Sequence, residues 1–218
     1  MQRFIDDIEA LVSETVDMGN LASEMIEKSV QAIVDGNVEL ADEVIDDFAR
    51  IDRYDNEIEE AAIRILTIYQ PTAVDTRTVA TILKSITYLE RIGKYSYNIA
   101  TATKYLSDKP MFEPVHLIQP FGEVAVRMVK LVTKAFEEKS ADGLDKISEM
   151  DDYLARWPRR STSWSPGCAP ASSEIPGNHF KPFPTPFQKG YYVGKMQQMR
   201  FRAPGRDDVL SDLREPSD

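Results

Sequence analysis

The sequence predicts an all-α protein: an elongated antiparallel three-helix bundle, a partial second three-helix repeat and an irregular C-terminal tail. Three observations support this prediction. Apolar residues recur at steps of three and four over most of the first 156 residues, which is the period of a helix that buries one face. Turn residues separate these apolar runs. Nine of the 13 prolines come after residue 156, where the helical period is absent.

The first three helices are predicted from their apolar stripes and from the turns between them. Helix one covers about residues 3–34, and the turn after it is Asp35-Gly36-Asn37. Helix two ends at Gln70-Pro71, because the residue before a proline avoids the α region. Helix three runs from Thr72 to a turn that begins at Ser107. The expected core positions of the three helices are Phe4, Ile8, Leu11, Met18, Ala22, Met25 and Ile33; Ala41, Val44, Phe48, Ile51, Ile58, Ala62 and Ile65; and Val79, Ile82, Ile86, Leu89, Ile92 and Ile99.

An internal repeat with an offset of 103 residues supports two further helices. Residues 21–47 align with residues 124–150, so that Met25 matches Met128 and Val44 matches Ile147. Helix four is expected over about 120–139 and helix five from near Ala141 to about residue 156. The predicted domains are therefore a first bundle at 1–108, an incomplete second repeat at 115–156 and a tail at 157–218.

The tail differs in composition from the rest of the chain. Residues 1–156 hold 17 basic and 30 acidic residues, whereas residues 157–218 hold 9 and 6. The helical period stops inside helix five, although domain boundaries normally fall in exposed linkers. We therefore hypothesise that the reading frame shifts near residues 154–158, and a native irregular tail is the alternative. Sequencing the coding DNA across codons 148–162 separates these two explanations.

Composition and motifs argue against several classes of function. The net charge of -10 argues against nucleic-acid binding, which needs a basic surface. One cysteine, Cys168, provides no internal disulfide. The N-terminal segment has no apolar signal-peptide core and no run of 18 apolar residues is present, so we expect a cytoplasmic protein. We do not expect an enzyme, because His116 and His179 belong to no catalytic arrangement and no glycine-rich phosphate loop is present.

Two motifs carry a resemblance to a known family. Helix three opens with Gln70-Pro71-Thr72-Ala73-Val74-Asp75-Thr76-Arg77, and Leu89-Glu90-Arg91-Ile92-Gly93 follows about twelve residues later. With residues 44–66 and 98–100, these motifs resemble the PhoU family of phosphate-transport regulators, over about residues 4–155. The resemblance implies tandem three-helix bundles, a cytoplasmic homodimer and a negative regulator of phosphate uptake and of the starvation response. It also implies two partners, a phosphate ABC-transporter subunit and a sensor histidine kinase, which alone would bring the protein to the membrane.

The same resemblance implies a possible metal site. The family has an acid-x-x-x-Asp pattern on the second and third helices of each repeat, where several members bind metal clusters. Carboxylates at i and i+4 share a helix face, and two such helices can offer oxygen ligands to a divalent or iron cation. The acids that match the pattern are Asp52, Glu90 and Asp151, and the positions that depart from it carry Phe48, Lys94 and Ala155. A multinuclear cluster is therefore not expected, and Lys94 is predicted to form a salt bridge with Glu90.

The candidate partner-binding residues are Asp75, Arg77 and Arg91. For Asp75 there is a second interpretation, because an acid in the first turn of a helix interacts favourably with the helix dipole. Asp55 falls on the apolar stripe of helix two, and the sequence leaves open whether it faces a polar partner. The acidic runs predict solvated helix faces or a complement to a basic partner, and they comprise Asp42, Glu43, Asp46, Asp47, Asp55, Glu57, Glu59 and Glu60. A helical scaffold unrelated to phosphate and a truncated inactive PhoU-like product are the alternative functions.

Overall fold

The computed structural model describes residues 2–108 and 118–156 as five helices and the turns between them. The helices are α1 (Gln2–Asp35), α2 (Val38–Tyr69), α3 (Ala73–Leu106), α4 (Gln119–Glu137) and α5 (Asp145–Arg156). The predicted all-α fold is confirmed. The connection 109–117 and the tail 157–218 lie outside the described residues, so the irregular tail and the frameshift hypothesis stay predictions.

The first three helices form a bundle in which each helix packs against the other two. The turns between them are short, and neighbouring helices therefore run antiparallel. Gly36 has a φ of 66°, and the side chain of Asn37 caps α2 by accepting a hydrogen bond from the amide of Leu40 at 2.9 Å. Gln70, with a φ of 46°, ends α2 before the proline. The fully buried apolar side chains of this core include Leu11, Met18, Met25, Val44, Ile51, Ile58, Val79 and Ile82.

A glycine brings α2 and α3 into close contact. A Cβ atom at Gly93 would lie 3.1 Å from one methyl carbon of Ile51, which is itself completely buried. Helix packing therefore accounts for a glycine at position 93, because a larger residue would collide with Ile51.

Helices α1 and α4 cross in an antiparallel pair that follows the internal repeat. Gly19 on α1 faces Thr133 on α4, and Gly122 on α4 faces Val30 on α1. Gly122 and Thr133 stand 103 residues after Gly19 and Val30, so the two contacts are equivalent under the repeat offset. A Cβ atom would lie 2.6 Å from the Thr133 hydroxyl at Gly19 and 2.8 Å from the Val30 methyl carbons at Gly122. The structure thus pairs the first helix of one repeat with the first helix of the other.

Helix α5 packs only against α4 among the described helices. It begins at Asp145, four residues later than the sequence suggested, because Lys139 and Gly143 adopt positive φ values of 51° and 79° in the preceding turn. The rings of Phe121 and Tyr153 stack with their centroids 5.9 Å apart and hold the far end of α5 against α4. The second repeat is therefore a two-helix hairpin within the described residues.

The acidic run at the start of α2 is only partly a solvated face. Asp47 is 8% exposed, and its carboxylate accepts hydrogen bonds from Lys28 at 3.3 Å and from Arg50 at 2.7 Å. Lys28 also pairs with Glu43 at 3.1 Å, and Lys104 on α3 pairs with Asp42. The expectation of a solvated run is wrong for Asp47, because α1 and α2 carry the cations that compensate its burial.

Candidate functional site

The turn between α2 and α3 forms one end of the first bundle and carries the proline-containing motif. The hydroxyl of Thr72 donates a hydrogen bond to the carboxylate of Asp75 at 2.8 Å, and the hydroxyl of Thr76 donates to the carbonyl of Pro71 at 3.1 Å. These bonds fix the start of α3. Asp75 lies half-buried in the first turn, where its charge favours the positive end of the helix dipole. This geometry supports the helix-dipole interpretation of Asp75.

Exposed apolar side chains accumulate at the same end of the bundle. Ile63 is 51% exposed, Ile68 is 63% exposed and Val74 is 58% exposed. Nearby, the ring of Phe4 packs edge-on against Tyr69, whose hydroxyl donates a hydrogen bond to Asp7 at 2.7 Å. These contacts tie the start of α1 to the end of α2, while the side chains of Ile63, Ile68 and Val74 stay exposed to solvent. We call Ile63, Ile68, Val74, Asp75 and Arg77 the bundle tip.

The structure brings together two of the three candidate partner-binding residues. Arg77 is exposed on the first turns of α3, close in the chain to Asp75, and it forms no ion pair with another described residue. Arg91 lies 14 residues further along α3, about 21 Å away at 1.5 Å per residue. Its guanidinium donates a hydrogen bond to the hydroxyl of Tyr95 at 3.2 Å. Asp75 and Arg77 therefore belong to the bundle tip, and Arg91 belongs to the side of the bundle.

Two of the three predicted metal ligands belong to the first bundle, Asp52 on α2 and Glu90 on α3. Burial raises the pKa of Asp55, and the neighbouring charges of Glu90, Glu59 and Asp52 raise it further. Asp52 and Glu90 are therefore both close enough to the half-buried Asp55 for their charges to act on it. In the sequence, Asp55 falls on the apolar stripe of α2, and this position already indicated that its carboxyl is not fully solvated.

The third predicted ligand is separate. Asp151 lies on α5, which touches only α4 among the described helices, and burial followed by the charge of Asp152 raises its pKa. The structure therefore does not bring Asp151 together with Asp52 and Glu90. In the described parts of the chain, no three His, Cys, Asp or Glu side chains are arranged to hold a metal ion.

The residues that stand where this chain departs from the acid-x-x-x-Asp pattern do not fit a metal cluster. Phe48 lies half-buried against Tyr97 with ring centroids 5.3 Å apart, so an aromatic pair stands where the first acid is expected. Lys94 is exposed, and the ion pairs of the described residues do not include one between Lys94 and Glu90. The predicted salt bridge is therefore wrong, and the exposed lysine stays in contact with solvent. A cation remains a prediction here, and no step of the proposed function depends on one.

A second group of acids makes the stability depend on pH. Burial raises the pKa of Glu14 above 4.5, and the charges of Glu57 and Asp17 raise it further. The ionised form of Glu14 is thus disfavoured in the folded chain. Ionising Glu14 costs more free energy in the folded chain than in the unfolded chain. This cost is absent below pH 4.5, where Glu14 is protonated in both states, and it is complete above the folded-state pKa. Glu14 therefore lowers the stability of the fold as the pH rises from 4.5 to the folded-state pKa.

We expect Glu14→Gln to raise the urea midpoint of unfolding at pH 7 and to reduce the difference between pH 7 and pH 4.5. The matched control is Glu9→Gln, which changes an exposed acid on the same helix and should leave both quantities unchanged. Equal pH dependence in Glu14→Gln and the parent chain would contradict the assignment.

Comparison with known proteins decides the family. The PhoU domain model matches residues 15–103. The chain is 32% identical over 152 residues to the phosphate-specific transport system accessory protein PhoU homolog of Aquifex aeolicus, covering 70% of this chain and 69% of that protein. The chain belongs to the PhoU family.

Two further members of the PhoU family agree with this assignment. The PhoU homolog of Clostridium acetobutylicum is 31% identical over 150 residues, which cover 68% of each chain. The crystal structure of PhoU from Pseudomonas aeruginosa superposes with a TM-score of 0.70 at 26% identity, covering 73% of this chain and 77% of that one. Among the described residues, no helix combines the length and apolar character needed to cross a membrane.

Proposed function

We propose that this chain is a negative regulator of phosphate uptake and of phosphate-starvation signalling that acts by protein–protein contact. Its partners are a phosphate ABC-transporter subunit and a sensor histidine kinase, and the protein works in the cytoplasm as a homodimer. Membership of the PhoU family and the names of its relatives as phosphate-transport accessory proteins support this proposal. The protein is a binding protein rather than an enzyme in this proposal.

The bundle tip is the observation that carries the proposal. Its apolar residues are more than half exposed, and the Arg77 cation has no ion-pair partner among the described residues. The fold does not need these side chains for its core, yet the motif that carries the family resemblance ends on Arg77. Exposed apolar side chains together with an exposed cation fit a partner surface that offers apolar side chains and a carboxylate.

We expect Arg77→Glu to weaken binding to the transporter subunit or to the cytoplasmic part of the kinase by about tenfold or more. Isothermal titration calorimetry with each purified partner measures the loss. Arg53→Glu is the matched control, because Arg53 is also exposed but lies on α2, away from the bundle tip. Equal weakening by both variants would indicate only the change in net charge and would contradict a role for the bundle tip.

An inactive PhoU-like product is the second candidate function. Four apolar residues of α4 are only half-buried in this chain, which is the observation that favours it: Phe121, Ala125, Met128 and Val132. An unrelated helical scaffold is tested by Glu90→Gln and Arg77→Glu in cells: loss of the phosphate-dependent response with the fold intact argues for the regulator, and no effect from either argues for the scaffold.

A further inference from the structure

The three helices of the first bundle differ sharply in charge. Helix α1 carries eight acids and two bases, and α2 carries ten acids and three bases, whereas α3 carries two acids and five bases. The fields of α1 and α2 repel an acidic partner, and the field of α3 attracts one. Among these three helices, α3 is therefore the one that an acidic protein can approach favourably.

Three cations stand in a row on the solvent face of α3. Arg77, Lys84 and Arg91 are spaced seven residues apart, and seven residues make two helical turns to within about 20°. The row is therefore nearly straight, with about 21 Å between its ends at 1.5 Å per residue. Arg77 and Lys84 are exposed and Arg91 is half-buried. The buried residues lie on the opposite side of the helix: Val79, Ile82, Ile86, Gly93, Ser96, Ala100 and Thr103. We call Arg77, Lys84 and Arg91 the cation row.

The acids of the bundle leave much of this charge unused. The ion pairs among the described residues include neither Arg77 nor Lys84, and they do not include Lys94, which is exposed near the far end of the row. Lys104, on the same helix, instead pairs with Asp42 of α2. Lys104 thus joins α3 to α2, whereas the exposed cations of the row are available to a partner.

Tyrosines accompany the cation row. Tyr88 and Tyr95 follow Lys84 and Arg91 by four residues, which places each tyrosine beside a cation on the same face. Tyr95 is 45% exposed, and its hydroxyl accepts a hydrogen bond from the guanidinium of Arg91 at 3.2 Å. Arginine and tyrosine are enriched in protein–protein interfaces, where tyrosine adds apolar contact area. This composition favours a protein partner over a free anion.

The spacing of the row indicates the form of that partner. A helix that lies along α3 meets the cation row with residues seven positions apart, because both helices have the same rise per residue. A two-fold contact with a second copy, centred on the row, would bring like charges together. We propose that the cation row binds a helix of another protein that carries Asp or Glu every seven residues and apolar side chains against Tyr88 and Tyr95.

The acids of α1 and α2 make this binding selective. A carboxylate on the cation row is attracted, whereas a carboxylate displaced toward α1 or α2 is repelled. The inference rests on the proposed function in that the chain is a binding protein, and it adds the chemistry of the partner surface.

The test uses the full chain and two synthetic alanine-based helical peptides of equal composition, each labelled for fluorescence anisotropy. In the row peptide, glutamates stand seven residues apart and a leucine follows each by four residues. In the spread peptide, the glutamates stand five residues apart, which distributes them around the helix. We expect the chain to bind the row peptide at least about tenfold more tightly at low ionic strength, and salt to weaken this binding. Circular dichroism checks that both peptides are equally helical.

Variants locate the binding on α3. Lys84→Glu reverses the central charge of the row and should weaken binding of the row peptide by about fivefold or more. Arg53→Glu makes the same charge change at an exposed position of α2 and should alter binding by less than about twofold. A third peptide with lysine in place of the central glutamate should bind Lys84→Glu more tightly than it binds the parent chain.

Four outcomes would overturn the inference. The first is that the row peptide binds no better than the spread peptide, or that neither binds. The second is equal weakening by Lys84→Glu and Arg53→Glu, which would show only the effect of net charge. The third is that inorganic polyphosphate binds the parent chain but not Lys84→Glu, while neither peptide binds. The fourth is self-association in sedimentation that Lys84→Glu abolishes, which would make a second copy the occupant.

Failure of this inference is distinguishable from failure of the proposed function. If the peptides do not bind but Arg77→Glu still weakens binding to the transporter subunit or the kinase, only the acidic-helix inference fails. If the row peptide binds as expected while neither natural partner binds the parent chain, only the proposed function fails.

Discussion

Met25→Ala is expected to lower the free energy of unfolding by about 2–5 kcal/mol, the largest stability effect we predict. Met25 is completely buried in the first bundle, where α1 meets α2 and α3. Truncation removes buried apolar surface and leaves a cavity that three long helices cannot close. Urea unfolding followed by circular dichroism measures the loss, provided that the slope of the unfolding free energy with urea stays unchanged.

The matched variant is Met128→Ala. Met128 occupies the equivalent position on α4 but is only half-buried, so its truncation should cost less than about 1 kcal/mol. The difference between the two losses tests whether the first repeat is buried more completely than the second. Equal losses at the two positions would show that Met128 is as well covered on α4 as Met25 is on α1, and would contradict the unequal burial of the two repeats.

Replacing Phe48 and Lys94 together by aspartate is expected to create a metal site. Of the changes in binding affinity that we predict, this one is the largest. The double variant places acids at i and i+4 on both α2 and α3, with Asp52 and Glu90 already in place. Four carboxylates on facing helices provide the oxygen ligands that hard cations require, and a higher count of charged ligands raises affinity. We expect Mn²⁺ to bind at least about 100-fold more tightly than in the parent chain, as measured by titration calorimetry.

A control separates coordination from a general increase in negative charge. Lys84→Asp changes an exposed lysine elsewhere on α3, and it should leave the affinity for Mn²⁺ nearly unchanged. Circular dichroism checks that loss of the contact between Phe48 and Tyr97 leaves the bundle folded. No gain in the folded double variant would mean that α2 and α3 do not present these positions to one another.

Much of the fold could be predicted from the sequence because large apolar residues mark most of the core. On α2, all of the expected core positions except Phe48 are fully buried. On α3, the expected stripe continued through Leu89, Ile92 and Ile99, yet these residues are half-buried. The buried face after Ile86 consists instead of Gly93, Ser96, Ala100 and Thr103. Small residues allow helices to approach closely without contributing to an apolar pattern, and the sequence pattern therefore missed them.

The second buried face of α1 was missed for the same reason. The apolar stripe of α1 predicted its contact with the first bundle, but α4 packs on a different face that includes Gly19, Ser23 and Val30. Val30 is the one apolar side chain larger than alanine among these three residues, so the sequence pattern gives only a weak indication of a buried face. The repeat offset predicted that α4 resembles α1, yet only the structure shows that Gly19 and Gly122 contact a second equivalent pair, Thr133 and Val30.

The candidate site was predictable in its residues but not in its environment. The two motifs located Asp75, Arg77 and Glu90, and helix geometry placed Asp75 in the first turn of α3. The burial of Asp47 depends on Lys28, which comes from another helix. Burial between helices raises the pKa of Asp55, and the charge of Glu90 on α3 raises it further. Such contacts between helices set the electrostatics, and a pattern within one helix does not contain them.

Repression of the starvation response tests the central claim most directly. The chain is expressed in a bacterium whose own PhoU gene is deleted and whose starvation-response promoter drives a reporter, beside the deleted strain and one that expresses its natural PhoU. The account predicts that in high phosphate the chain lowers reporter output toward the natural level, and that Arg77→Glu loses this effect while Arg53→Glu keeps it. Reporter output equal to that of the deleted strain, with the chain soluble and folded, would contradict the proposed regulator.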